Sequence, residues 1–143
     1  MSHIIDKISS YNLFNYLFPG IVFVVFLKET TSYNFIQENN FIGSILYYFV
    51  GLVISRVGSL IIKPILDKIK FIEDRPYKDF IKTSKEDPKI NLLSEVNNMY
   101  RTLVALFLSL SLFVFFDFLS SKWHLLRELS GYILGAILLI LFL

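Results

Sequence analysis

The sequence predicts an all-α membrane protein with about four transmembrane helices and a partly helical cytoplasmic segment between the second and third. Three observations carry this. Of the 143 residues, 55% are hydrophobic and only 18% charged, whereas an ordinary soluble domain is about a quarter charged. Sixteen of the 26 charged residues fall between residues 63 and 101. The flanking stretches are apolar runs of span length. A mean hydropathy of +0.59 agrees with a chain that needs lipid around it. The whole chain, 1–143, reads as a single membrane domain with spans over about 11–27, 41–62, 100–119 and 125–143 and a cytoplasmic segment over 63–99.

The first apolar run, Asn12 to Leu27 (NLFNYLFPGIVFVVFL), has sixteen residues, slightly fewer than the roughly 20 that cross the hydrocarbon as a straight helix. Pro19 and Gly20 lie inside it. A proline removes a backbone donor and crowds the preceding turn, so a kink is expected at Pro19-Gly20, covered by a neighbouring helix because lipid cannot satisfy a freed carbonyl. Met1 to Tyr11 has one lysine, one aspartate and one histidine, and no small-residue cleavage site follows the apolar run, so it reads as a permanent span and not as a signal peptide.

Lys28 to Asn40 (KETTSYNFIQENN) is polar and reads as a short loop on the side opposite the N-terminus. Phe41 to Ile62 (FIGSILYYFVGLVISRVGSLII) is a full-length second span interrupted by Arg56. Prolines at 64, 76 and 88 punctuate the middle segment. Glu86-Asp87-Pro88 places acids and a proline where helices begin. Ile90, Leu93, Val96 and Asn97 then recur at helical spacing and lead into the third apolar run without another proline or glycine. One helix from about Lys89 to Leu119 is predicted, roughly 46 Å long and so protruding from the membrane. The last run, Leu129 to Leu143, spans only about 22 Å as a helix. Either that helix begins nearer Trp123 or the natural chain continues past Leu143.

Lysine and arginine set the expected orientation. Lys7 and the nine from Lys63 to Arg101 lie on one side, against Lys28, Lys122 and Arg127 on the other. Ten against three places the N-terminus and the middle segment in the cytoplasm, in an inner (cytoplasmic) membrane.

Four polar residues within or beside the spans are the candidate sites. Arg56 lies about 9 Å inside the second span, within reach of the headgroups by snorkelling; alternatively it builds a polar site with Asn12 and Asn15. Asp117 sits near the far end of the third span, either wetted with Ser120, Ser121 and Lys122 or forming a ring of carboxylates at a pore mouth. It is not expected to meet Arg56 within one subunit. Gly51, Ser55 and Ser59, together with Gly131 and Gly135, form small-residue faces at spacings of four on which helices pack, within one subunit or between copies.

Catalytic chemistry has no foothold. Cysteine is absent, which removes thiolate nucleophiles, thiolate metal sites and disulfides. No nucleophile setting, phosphate loop or metal-binding histidine pair occurs. No cofactor or metal is expected. The carboxylates Glu73, Asp74, Asp79, Glu86 and Asp87 each have a lysine or arginine within a few residues and read as a solvated, salt-laced surface. A net charge of +2 with acids interleaved among the bases excludes nucleic acid as an expected partner. The expected partners are the lipid bilayer, further copies of the chain, and a cytosolic protein reached through residues 63–101.

Tyr11 to Gly20 (YNLFNYLFPG) and Asp87 to Thr102 (DPKINLLSEVNNMYRT) resemble segments of small, uncharacterised bacterial membrane proteins, some encoded in anti-phage defence loci. The resemblance implies a membrane effector, or a membrane partner of a cytosolic sensor, whose middle segment receives a signal and whose spans alter permeability. It transfers no binding or catalytic residue.

Overall fold

The computed structural model describes residues 10–71, 77–87, 89–122, 131–132, 135–136 and 139. Among these it is helical, without strands. Three helices are long and apolar enough to cross a membrane: α1 (Ser10–Thr30), α2 (Asn40–Lys68) and α4 (Lys89–Lys122). A short amphipathic helix, α3 (Tyr77–Glu86), precedes α4. Most of the predicted fourth span, 125–143, lies outside the described residues. Those of its residues that are described, 131–132, 135–136 and 139, are helical.

The helix expected over 89–119 is present as one unbroken 34-residue element, Lys89–Lys122. At 1.5 Å per residue it is about 51 Å long, against about 30 Å of hydrocarbon. It starts where Asp87 accepts from the backbone N–H of Lys89 through Oδ1 at 2.9 Å, an acid before the first turn that supplies an acceptor to an otherwise unpaired donor. The second helix begins likewise: the Asn39 side chain accepts from the amides of Phe41 and Ile42 at 2.9 and 3.2 Å, a side-chain cap.

Proline acts differently from the expectation. Pro64 does not end the second span at Ile62; α2 runs on to Lys68. The backbone widens to π-helix over Gly58–Ile62, where the amide of Lys63 bonds to the carbonyl of Gly58, and Pro64 follows in the first turn of regular helix. The same arrangement precedes Pro19: Leu13–Leu17 is π-helix, the Phe18 amide bonds to the Leu13 carbonyl, and Pro19 follows. A proline ring collides with the carbonyl four residues back and gives it no donor. Widening by one residue relieves both problems without breaking the helix. α2 then stops at Lys70, whose φ of 56° lies in the left-handed region. The amides of Lys70 and Phe71 close back on the carbonyls of Asp67 and Leu66 at 3.0 and 2.9 Å, a Schellman stop with lysine where glycine is usual.

α1 and α2 are antiparallel and touch through glycine. A Cβ on Gly20 would overlap the carbonyl of Tyr47, and one on Gly51 would overlap the carbonyl of Tyr16. The two backbones therefore meet with no side chain between them, and Pro19 and Gly20 are buried there. α4 lies against both, parallel to α1. Phe23, Val24, Leu27, Ile54, Ala105, Leu106 and Leu110 fill the space between the three helices. Phe113 meets Phe23 edge to face at 5.5 Å and Tyr33 at 6.4 Å. The 31–39 loop is fastened at both sides: Ser32 donates to the Asp117 carboxylate, and the Gln37 amide donates to the Tyr47 hydroxyl at 3.1 Å. The bundle thus has a distal half, beside this loop, and a proximal half, beside the middle segment.

Candidate functional site: a polar layer shared by three spans

Each spanning helix brings one pair of polar residues, four apart, to the same level. On α1 they are Tyr11 and Asn15, on α2 Ser55 and Ser59, and on α4 Asn98 and Thr102. Residues four apart share a helix face, so each pair points in one direction, and the three faces converge. Asn15 is 1% exposed and Thr102 2%, so both must find partners within the protein.

They find them in one another. The Asn15 amide donates through Nδ2 to Ser55 Oγ at 3.3 Å. Thr102 Oγ1 lies 3.0 Å from Asn15 Oδ1 and 3.2 Å from Ser55 Oγ. Each hydroxyl has one proton and can also accept. One assignment closes the ring: Asn15 donates to Ser55, Ser55 to Thr102 and Thr102 to Asn15 Oδ1, every bond joining two different helices. Thr102 also lies 2.9 Å from the carbonyl of Asn98 on its own helix, the usual alternative for a threonine in a span.

A second tier lies one turn nearer the middle segment. Arg101 donates through Nη2 to Asn98 Oδ1 at 2.8 Å and to Ser59 Oγ at 3.3 Å. Asn98 donates through Nδ2 to the Tyr11 hydroxyl at 3.4 Å, and Ser59 donates to the Ser55 carbonyl at 3.1 Å. Gly58 makes this reach possible, because a Cβ there would stand 3.1 Å from the Arg101 carbonyl and 3.4 Å from its Cγ. Edge-to-face contacts of Tyr16 with Tyr11 at 6.2 Å and with Tyr48 at 5.6 Å lie beside the network.

Depth follows from helix geometry. Ser55 is 15 residues from Asn40, the first residue of α2, and Thr102 is 15 residues from Asp117, which is tied to the distal loop, about 22 Å in each helix. With about 30 Å of hydrocarbon, the Asn15–Ser55–Thr102 layer sits in the proximal third of the membrane, with Arg101 nearer its edge. The layer coincides with the widened backbone. Asn15 lies within the first π stretch and Ser59 within the second, and π-helical turns occur frequently at functional sites.

The candidates expected from sequence separate accordingly. Asn15, Ser55 and Ser59 belong to the layer. Gly51 packs α2 on α1 one turn away. Asn12 is half-buried, and Arg56 projects from the exposed face of α2. The cation placed in the layer is instead Arg101, a residue that sequence alone groups with the loop charges. Asp117 binds Ser32 at the distal end, about 22 Å along α4 from Thr102. Gly131 and Gly135 have nothing within 4 Å of a built Cβ among the described residues. Asn98, Thr102 and Tyr11 are members that the sequence does not single out; the spacing of four in all three spans is the signal that could have found them. Among the described residues, no group of three or more histidines, cysteines or carboxylates could hold a metal.

Chemically, the layer holds no unpaired acid, base or nucleophile. What it can do is fix the rotation and register of three helices, and change state if α4 turns or slides. Comparison with protein-family models, curated proteins and solved structures gives no match, so function has to be inferred from the geometry of the layer and its surroundings.

Proposed function

We propose that the protein is a self-associating inner-membrane protein that forms or gates a permeability pathway, controlled through the segment between its second and third spans. The observation that carries this reading is the continuity of α4. One unbroken helix joins Lys89, outside the apolar run, to Asn98, Arg101 and Thr102 in the polar layer, so a force on the middle segment is delivered directly to the bonds that hold the spans together. The distal half of one bundle is closed, with Leu27, Ala105 and Leu106 each at most 1% exposed. The pathway therefore lies between copies. An open apolar groove of about 600 Å³ between α1 and α4, lined among others by Phe26, Phe107 and Phe118, offers surface for such contact. The lysine and arginine distribution supports a cytoplasmic N-terminus and middle segment. The resemblance of 11–20 and 87–102 to proteins of anti-phage loci supports a role as a membrane effector.

Expression is expected to depolarise cells and to release dye from reconstituted vesicles, and Asp117→Asn, which weakens the tie to the 31–39 loop, is expected to change the rate. Intact membranes at full expression of folded protein would overturn the reading. The closed single bundle favours one other reading, a membrane anchor that recruits a cytosolic partner enzyme through 63–101. Under that reading a partner co-purifies and is lost when the segment is deleted, with permeability unchanged throughout.

A further inference from the structure

In the last turns of α2, just past its end, and in the first turns of α4, several large apolar side chains are more than half exposed. Ile65 is 51% exposed, Phe71 77%, Leu92 51% and Leu93 66%. Their height is informative. Counting about 30 Å from Asp117 along α4 puts the proximal hydrocarbon boundary near Asn97, and counting from Asn40 along α2 puts it near Leu60. Ile65, Leu92 and Leu93 then lie about 6–8 Å beyond it, at the level of the lipid headgroups.

α3 has the charge layout of a helix lying at that level. Phe80, Ile81 and Ser84 share one face. Lys78, Lys82 and Lys85 follow at i, i+4 and i+7 as a stripe along one flank, and Asp79 and Glu86 lie on the opposite side. All five charged side chains are exposed. Cations beside the apolar face and anions away from it match an anionic lipid surface. A helix packed wholly on protein has no need of that asymmetry.

We propose that this segment is a lipid-reading element: α3, with the adjoining Ile65, Leu92 and Leu93, seats in the headgroup layer of an anionic bilayer, where Lys78, Lys82 and Lys85 pair with lipid phosphates. It holds whether or not the spans conduct. Because α4 carries the seated side chains on the same helix as Thr102, the lipid composition at this surface biases the polar layer.

The chain has no cysteine, so single-cysteine variants of the full protein report cleanly. Ile81→Cys, Leu93→Cys and Asp79→Cys would be labelled with a charged maleimide in nanodiscs of phosphatidylcholine, with or without phosphatidylglycerol. In discs containing phosphatidylglycerol, Ile81→Cys and Leu93→Cys are expected to react at least about tenfold more slowly than Asp79→Cys. With each lysine worth about a factor of five at such a surface, replacing Lys78, Lys82 and Lys85 by glutamine should lower the ratio of seated to unseated protein about a hundredfold and restore labelling. Equal rates at positions 79 and 81 overturn the proposal. So does protection that ignores both phosphatidylglycerol and the glutamine changes, because the cover is then protein.

Discussion

The two halves of the three-helix bundle are held together by different means. In the distal half, Phe23, Val24, Leu27, Leu106 and Leu110 interlock with aromatic edges. In the proximal half, Asn15, Ser55 and Thr102 join three helices through hydrogen bonds. In water the first would dominate, but lipid tails are as apolar as leucine, and helix association in a bilayer relies on close packing and polar contacts. An apolar face can slide by a fraction of a turn and still be covered. A ring of directed bonds tolerates no such slip, so the proximal half fixes the register that the distal half then fills. The backbone differs too: both π stretches, Leu13–Leu17 and Gly58–Ile62, lie in the proximal half.

The contrast between the halves breaks most completely where the backbones touch. Gly51→Leu places a side chain into the Tyr16 carbonyl, which no rotamer avoids because the obstacle is main chain. α1 and α2 must separate, and the polar layer and the distal core lose their common geometry together. Loss of a folded, monodisperse species in detergent is expected, read by size exclusion and by the collapse of cooperative thermal unfolding. A variant that kept its unfolding midpoint would show that the two helices do not cross here.

Asn15→Leu is the sharper, smaller cut. It removes the only group in the ring that both donates to and accepts from another helix through separate atoms. Ser55 and Thr102 remain 3.2 Å apart, and Thr102 keeps the Asn98 carbonyl, so neither is orphaned. The expected loss is therefore about 1–2 kcal/mol, toward the lower part of the range for breaking a buried hydrogen bond. A double-mutant cycle with Thr102→Val, read by unfolding in mixed micelles, should give a coupling of about 0.5–1.5 kcal/mol. Additive effects would mean that the two side chains do not act through one network.

Which of these features are readable in the sequence depends on the physics of each. The spans are legible because hydrocarbon demands long apolar runs, and the full length of α4 is legible because no proline or glycine follows Pro88 before the third run. The continuation of α2 through Pro64 is not, since a proline reads as punctuation unless the backbone in front of it widens, and widening leaves no compositional trace. Arg56 stands out as a charge inside an apolar run, although its side chain lies on the exposed face. Arg101 and Thr102 sit at the edge of one, where charge and hydroxyls are ordinary. Only the alignment of three helices at one level gives them meaning, and a one-dimensional reading fixes neither the relative heights nor the rotations of helices.

The smallest effect on folding is expected at Gly135, and it separates two uses of one residue type. Gly51 and Gly135 both stand in stripes of small residues at spacings of four, yet Gly51 meets a backbone whereas Gly135 meets nothing among the described residues. Gly135→Leu should leave the unfolding of the α1–α2–α4 bundle unchanged, or raise it by up to about 1 kcal/mol, because leucine is the better helix former. Under the self-association proposed above, a glycine stripe with no intramolecular neighbour among the described residues is the surface on which copies approach closely. The same substitution should then lower the crosslinked oligomer fraction in native membranes. A change in the assembly without a change in the bundle would assign Gly131 and Gly135 to contacts between copies. Unaltered crosslinking would move that contact to the exposed face of α4, where Phe107, Leu112 and Phe115 stand 59–64% exposed.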